Sequence, residues 1–176
     1  MPSDDRPPTG PASVYADDTT LCDLCTAELF VVTVLRLWRS GANDPDRPEY
    51  WARAFRAAGI ATGGAPAFGS LMRVVAGAAR HPLDVRPRAC RRLGRDEDLL
   101  LRLISMLQGD RRGEASRLLD VWLPPAAAGL ATRPAEALAM ALAGVGLVVP
   151  LRHAEAAALS RLAACAHATP GLALLQ

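Results

Sequence analysis

The sequence contains no lysine, and arginine supplies all 20 of its basic residues. Aromatic residues are also scarce, at 5% of the 176 residues, and only 22% of the chain is charged. Because 51% of the residues are hydrophobic and the net charge is only +2, a chain that is disordered throughout is excluded. Glycine and proline follow no period, which excludes a collagen-like fibre. An alanine-rich composition without lysine indicates a bacterial protein from a GC-rich genome.

The sequence also shows no pattern typical of an export signal or of a membrane-spanning segment. The N-terminus is polar and rich in proline, without the apolar segment of a signal peptide. The longest uncharged stretch of membrane type, residues 137–151, is shorter than the roughly 20 apolar residues that cross a bilayer. We therefore expect a cytoplasmic protein that binds no membrane and whose cysteines stay reduced.

Apolar residues at helical spacing are present along almost the whole chain. This spacing predicts an all-α fold, a single-domain compact bundle of about six to seven helices over residues 18–170. Residues 1–17 are predicted to form a mobile N-terminal arm, and residues 171–176 a short tail. The predicted helices cover residues 19–40, a segment that ends at 58, 66–80, 95–108, 112–123, 133–148 and 151–167. Short helical turns are expected near residues 88–93 and 126–130.

The predicted helix at residues 95–108 has a narrow polar stripe and is otherwise apolar. A helix of this kind is covered on several sides, so we expect it at the centre of the core. The predicted core residues are Leu29, Val32, Trp38, Trp51, Phe55, Leu71, Leu99, Leu103, Leu107, Leu119, Trp122, Leu142 and Leu162.

Cys22 and Cys25 form a C-x-x-C pair, a spacing used by redox centres and by half of many metal sites. Cys22 is predicted in the first turn of the first helix, where the macrodipole stabilises negative charge. A structural zinc site needs two further ligands, and the other cysteines and the histidines are isolated in the sequence. We therefore predict no metal site and no cofactor, and expect both cysteines to be small helical residues.

The densest basic segment covers residues 86–95. Its arginines are Arg86, Arg88, Arg91, Arg92 and Arg95. Arginine binds phosphate through two parallel hydrogen bonds, so this segment is a candidate contact for nucleic acid or a small anion. Acidic residues follow directly at 96–98 and are expected to offset its charge, and no aromatic side chain interleaves with the arginines to stack on bases. The pattern favours a solvated segment paired to neighbouring acids.

Residues 137–149 contain no polar side chain, so this segment is expected to lie centrally in the domain or against another subunit. Ala137, Ala141 and Gly144 allow a neighbouring backbone to approach closely, and Phe30 interrupts the polar face of the first helix. These four residues predict a self-association surface and a homodimer. Burial against a neighbouring helix of the same chain is the alternative.

No nucleophile elbow, phosphate-binding loop or dinucleotide fingerprint is present in the sequence. We therefore expect a non-catalytic protein-interaction or regulatory module that self-associates and binds a protein partner of unknown identity. The first alternative is a nucleic-acid or anion binder that uses residues 86–95. The second alternative is a redox or metal protein that uses Cys22 and Cys25.

Overall fold

The computed structural model describes residues 19–41, 50–60 and 63–152. Within these ranges the fold is all-α, as predicted, and consists of six helices that pack against one another without any strand. An isolated antiparallel bridge joins Thr20 to Arg92. The helices are α1 (Thr26–Gly41), α2 (Tyr50–Ala57), α3 (Gly64–Ala78), α4 (Arg95–Gln108), α5 (Arg112–Trp122) and α6 (Pro125–Ala143).

The central helix is α4, in agreement with the sequence. It contacts α1, α5 and α6, and Leu100, Leu101 and Leu103 are fully buried. Most of the predicted core residues are buried with it; Leu29, Trp38, Trp51 and Leu107 are half-buried around this core, and Leu162 lies outside the described residues. The buried members of the predicted set are Val32, Phe55, Leu71, Leu99, Leu103, Leu119, Trp122 and Leu142.

The predicted break before Pro134 is wrong, because α6 is one continuous helix with this proline inside it. Proline lacks the N–H that would bond the carbonyl four residues earlier, which removes one hydrogen bond from the helix. Buried side chains on both sides of Pro134 form a single inward stripe, and α6 makes its most extensive contact with α3. Packing along this stripe outweighs the local loss. Its members are Ala127, Ala128, Ala131, Ala135, Leu138, Ala139 and Leu142.

The end of α6 also differs from the prediction, since the helix stops at Ala143 and not near residue 148. Gly146 has φ +76°, a left-handed conformation that turns the chain out of the helix. The side chain of Gln108 then holds the following segment. Its Nε2 donates to the carbonyl of Leu147 at 2.9 Å, and its Oε1 accepts from the N–H of Val149 at 2.8 Å. The segment after α6 is therefore held against α4 by the side chain of Gln108.

The first helix begins later than predicted, at Thr26, because two start signals compete. The N–H and the hydroxyl of Thr20 both donate to Asp23 Oδ2, at 2.9 and 2.8 Å, which closes a single 3-10 turn over Leu21–Asp23. A new helix then starts where Glu28 accepts the N–H of Cys25 at 2.7 Å. Cys22 consequently lies in the separate 3-10 turn and not in α1.

The last described residue returns to this same corner of the molecule. Arg152 donates from Nε and Nη2 to the carboxylate of Glu28, at 2.7 Å each, and from Nη2 to the carbonyl of Asp23 at 2.8 Å. Glu28 is buried, so its charge requires this partner. The ion pair joins the segment after α6 to the start of α1.

Several predictions fall on residues that the structure does not describe. These are the arm at 1–17, the start of the second helix before Tyr50, the tail at 171–176 and nearly all of the helix predicted at 151–167. The two described residues of that last segment, Leu151 and Arg152, are not helical.

Replacement of one central leucine tests this arrangement. Leu103→Ala is expected to lower the free energy of unfolding by about 2–5 kcal/mol, because it opens a cavity at a fully buried position of α4. The matched control is Val148→Ala in the segment after α6, where the side chain is 58% exposed and the loss should stay within about 0.5 kcal/mol. Urea unfolding followed by circular dichroism measures both values. Equal losses would contradict the assignment of α4 as the central helix.

Candidate functional site

A buried ion pair between Arg36 of α1 and Glu97 of α4 organises the surface that carries the basic segment. Arg36 Nε donates to Glu97 Oε1 at 2.7 Å, and Nη2 donates to Oε2 at 2.8 Å, a bidentate geometry. Arg36 is 3% exposed and Glu97 is fully buried. A pair this deep is stable only when its remaining polar atoms are also satisfied.

Backbone groups of the basic segment supply those remaining partners. Arg36 donates to the carbonyl of Cys90 at 2.5 Å and to that of Arg92 at 2.8 Å. Glu97 accepts the N–H of Arg86 at 3.1 Å and that of Gly94 at 2.8 Å. One ion pair thus fixes both ends of the segment in front of α4.

This arrangement also corrects the helical turn predicted near residues 88–93. The segment contains a turn at residues 88–89 and is not helical elsewhere: Arg92 forms the antiparallel bridge with Thr20, and Gly94 is extended. Carbonyl groups that a helix would use internally point instead at the guanidinium of Arg36. A charged donor gives stronger hydrogen bonds than a backbone amide, so the tertiary contact outweighs local helix formation.

A second set of contacts attaches the segment to residues just before α1. The N–H of Leu21 donates to the carbonyl of Arg91 at 2.8 Å, and that of Leu93 donates to Thr19 at 3.1 Å. At the end of this segment, Gly94 lies very close to the backbone of Asp84. A Cβ at that position would lie 2.4 Å from the carbonyl oxygen of Asp84, so glycine permits the close approach.

The five predicted arginines are brought to one exposed segment, but they are not equivalent. Arg86 lies 3.4 Å from Asp84 and is paired. The other four, Arg88, Arg91, Arg92 and Arg95, are exposed and form no ion pair with a carboxylate of the described residues. We call these four the arginine surface.

The acids at 96–98, expected to offset these arginines, form no ion pair with any of the four, although the charge of Arg95 acts on Asp96. Asp96 and Glu97 are fully buried and Asp98 is nearly so, because the first turn of α4 faces the interior. Glu97 is neutralised by Arg36. The acids are therefore adjacent to the arginines in sequence but buried, whereas the arginines are exposed.

Asp96 occupies the interior between α4 and the basic segment. Its Oδ2 accepts the N–H of Asp84 at 2.6 Å, and Nδ1 of His81 lies 3.9 Å away. Burial raises the pKa of the Asp96 carboxyl above its ordinary value, and it outweighs the Asp84 hydrogen bond and the charges of His81 and Arg95. Oδ1 has no hydrogen-bond partner in the described part of the chain, so ionisation at this position opposes folding.

The thiols of Cys22, Cys25 and Cys90 are free, and Cys22 and Cys25 are exposed. Cys22 belongs to the 3-10 turn, whereas Cys25 directly precedes α1, so the two are on separate elements. No group of three or more His, Cys, Asp or Glu side chains suited to a metal ion occurs within residues 19–41, 50–60 and 63–152. Cys165 and two of the histidines, His153 and His167, lie outside those ranges.

The predicted self-association residues on α6 differ in their exposure to solvent. Ala137 and Gly144 are exposed, together with Leu130 at 70% and Met140 at 67%. Ala141 is half-buried at the edge of this face. The outward residues lie at helical spacing, and we call them the α6 outer stripe. They are Ala126, Gly129, Leu130, Arg133, Ala137, Met140 and Gly144.

Phe30 belongs to the interior side of α1 and not to this stripe. Its ring packs edge-on against Phe55, with 5.4 Å between the centroids. It also lines a narrow apolar space that is too small to hold a water molecule. The other lining residues are Val31, Val34, Phe55, Phe68, Ile104, Leu138 and Leu142. No polar side chain lines this space, so it has no group to orient a substrate.

Comparison with known proteins adds no functional information. No protein-family model matches the chain, and neither a curated protein nor a solved structure shows significant similarity to it.

Sequence reasoning missed Arg36 and Glu97, the two residues that build the arginine surface. One sequence signal was available, because Glu97 stands three residues after Gly94, the spacing of an acidic residue that accepts the N-cap N–H. Its partner on α1 is 61 residues away in the chain, and no local pattern identifies it.

Loss of the buried pair should be severe and should release the basic segment. Arg36→Gln is expected to reduce the free energy of unfolding by about 3–5 kcal/mol, because Glu97 would remain buried without its counter-charge. Faster hydrogen exchange at the amides of Leu21, Leu93 and Gly94 is expected as well. Arg39→Gln, at an exposed position of the same helix, is the control. A loss no greater than in the control would contradict the role of the pair.

Asp96→Asn tests the raised pKa of the buried carboxyl. The folded pKa lies above the unfolded one, so the protonated form adds stability at low pH, and this stability is lost as pH rises through the folded pKa. Asparagine keeps an acceptor for Asp84 and cannot ionise. The variant should therefore be more stable than the parent at neutral pH, and the difference should shrink as pH falls toward about 4. Asp120→Asn, at an exposed site, should show no such trend in thermal unfolding against pH.

Proposed function

We propose that this chain is a non-catalytic protein-interaction module that forms a homodimer through the α6 outer stripe. The observation that carries the proposal is the composition of this exposed face. Leu130 and Met140, two of the most exposed large apolar side chains of the described residues, both belong to it, and Arg133 is the one charged side chain in the stripe as defined. Exposed apolar surface of this extent on one helix is typical of an interaction site.

The spacing of the stripe suits a second helix. Ala126, Leu130, Arg133, Ala137, Met140 and Gly144 follow one another at alternating intervals of four and three residues. This interval keeps a seam of residues on one side of a helix over several turns. The small residues at both ends and near the middle allow two helix backbones to approach closely.

The charge of Arg133 favours an antiparallel arrangement of two copies of α6. In a parallel pair of α6 helices, two Arg133 guanidinium groups would share one level of the seam and repel each other. In an antiparallel pair with its two-fold axis near residue 135, they would be separated by about 6 Å along the helix. Each would then lie beside Glu136 of the partner subunit, a half-buried carboxylate whose Oε1 is 3.4 Å from Arg112 Nη1.

The same two-fold axis brings the large apolar residues to one level. Leu130 and Met140 are equidistant from residue 135, so each would meet the other across the interface, and Ala126 would meet Gly144. Both large side chains leave water in this arrangement. Burial of a leucine or methionine side chain contributes about 1.5–3 kcal/mol.

The oligomeric state under mutation tests the proposal. Leu130→Glu places a carboxylate in the seam and is expected to convert the dimer to a monomer at micromolar concentration, with helix content unchanged. Ala76→Glu adds the same charge at an exposed position of α3 and should leave the dimer intact. Sedimentation velocity over a concentration series measures both. A wild-type chain that remains monomeric, or a dimer that tolerates Leu130→Glu, would overturn the proposal.

A further inference from the structure

We infer that the arginine surface is a binding site for the phosphate backbone of duplex nucleic acid. The site is formed by Arg88, Arg91, Arg92 and Arg95, on the side of the molecule built by the Arg36–Glu97 ion pair. It is separate from the α6 outer stripe in sequence and uses none of its residues. The inference does not depend on dimer formation.

The first argument is the electrostatic state of the four arginines. All four are exposed, and their guanidinium groups form no ion pair with a carboxylate among the described residues, whereas Arg86 next to them is paired with Asp84. The backbone N–H of Arg95 donates to Asp84 Oδ2 at 2.9 Å, so this carboxylate lies at the edge of the arginine surface. The acids that follow in sequence are buried, and Glu97 is engaged with Arg36. Within the described residues, residues 88–95 therefore carry four exposed arginines without a side-chain ion pair, although the whole chain has a net charge of only +2.

The second argument is the fixed backbone beneath these side chains. Arg36 holds the carbonyls of Cys90 and Arg92, and the amides of Leu21 and Leu93 tie the segment to the residues before α1. An irregular segment of this kind, if free, would lose conformational entropy on binding. Here the core has already ordered it, so less binding free energy is spent on ordering the backbone.

The third argument concerns the kind of anion. Guanidinium groups match phosphate oxygens in a bidentate geometry, and a row of them neutralises successive phosphates. From Arg91 to Arg95 an extended backbone covers about 13 Å, which corresponds to roughly four phosphates of one strand along the duplex axis. No Phe, Tyr or Trp occurs in residues 80–95 to stack on unpaired bases, which favours a duplex over a single strand.

Contacts to phosphate alone carry no sequence information, so the binding should be non-specific and sensitive to salt. Each phosphate contact lowers the slope of log affinity against log salt by about 0.9. Removal of two contacts should therefore reduce the slope by about two. If the affinities converge near 1 M salt, this reduction corresponds to a difference of about 60-fold at 0.1 M.

The experiment measures binding of a fluorescently labelled duplex DNA of mixed sequence by anisotropy, over a series of salt concentrations. The test variant is Arg91→Gln/Arg92→Gln, which keeps the backbone carbonyls that Arg36 contacts. The control is Arg73→Gln/Arg117→Gln, which removes the same charge from exposed positions of α3 and α5. Circular dichroism and thermal unfolding establish that both variants fold as the parent does.

The expected result is binding by the parent chain, a slope reduced by about two in the test variant, and a much smaller change in the control. Equal losses in the two variants would mean a general charge effect and would overturn the assignment. Absence of duplex binding at low salt would also overturn it. A parallel arm uses vesicles with anionic lipid; retention on these vesicles without duplex binding would assign the surface to a membrane and refute the inference.

Discussion

The ion pair between Arg36 and Glu97 is the interaction on which the surface of this protein depends. Two buried charges are costly to remove from water, and they are tolerated only with complete hydrogen bonding. Here the missing partners are backbone groups at both ends of residues 86–94. The requirement to satisfy a buried charge therefore gives an irregular segment one fixed conformation, with its arginine side chains in solvent and its backbone tied to the core.

Scarcity of charge and of large aromatic side chains shapes the rest of the molecule. The bundle is filled largely by leucine and alanine, and α6, with its inward stripe of alanine, makes its most extensive contact with α3. The chain has few polar residues left to cover the opposite side of α6, where Leu130 and Met140 are exposed. A small-residue core and an apolar outer face thus have a common origin in the composition.

Local patterns predicted the helices well and the connections poorly. The limits of α4 agree with the prediction because an acidic first turn and a following glycine are signals within the helix itself. The start of α1 was wrong because Thr20 with Asp23 and Cys25 with Glu28 are both plausible starts, and both are used. The break at Pro134 was wrong because a penalty at one residue was weighed without the packing that opposes it.

The sequence by itself determined the fold class, the identity of the central helix and the two segments that carry unusual surfaces, since each follows from spacing within a few turns. Only the tertiary structure decided which way the acids at 96–98 face, which carbonyl groups accept hydrogen bonds from Arg36 and which side of α6 remains exposed. Those outcomes depend on contacts between residues far apart in the chain, such as Arg36 with Glu97 and Glu28 with Arg152. The tertiary fold decides which distant residue pairs with a buried charge, and local sequence patterns do not reveal the position of that residue in the chain.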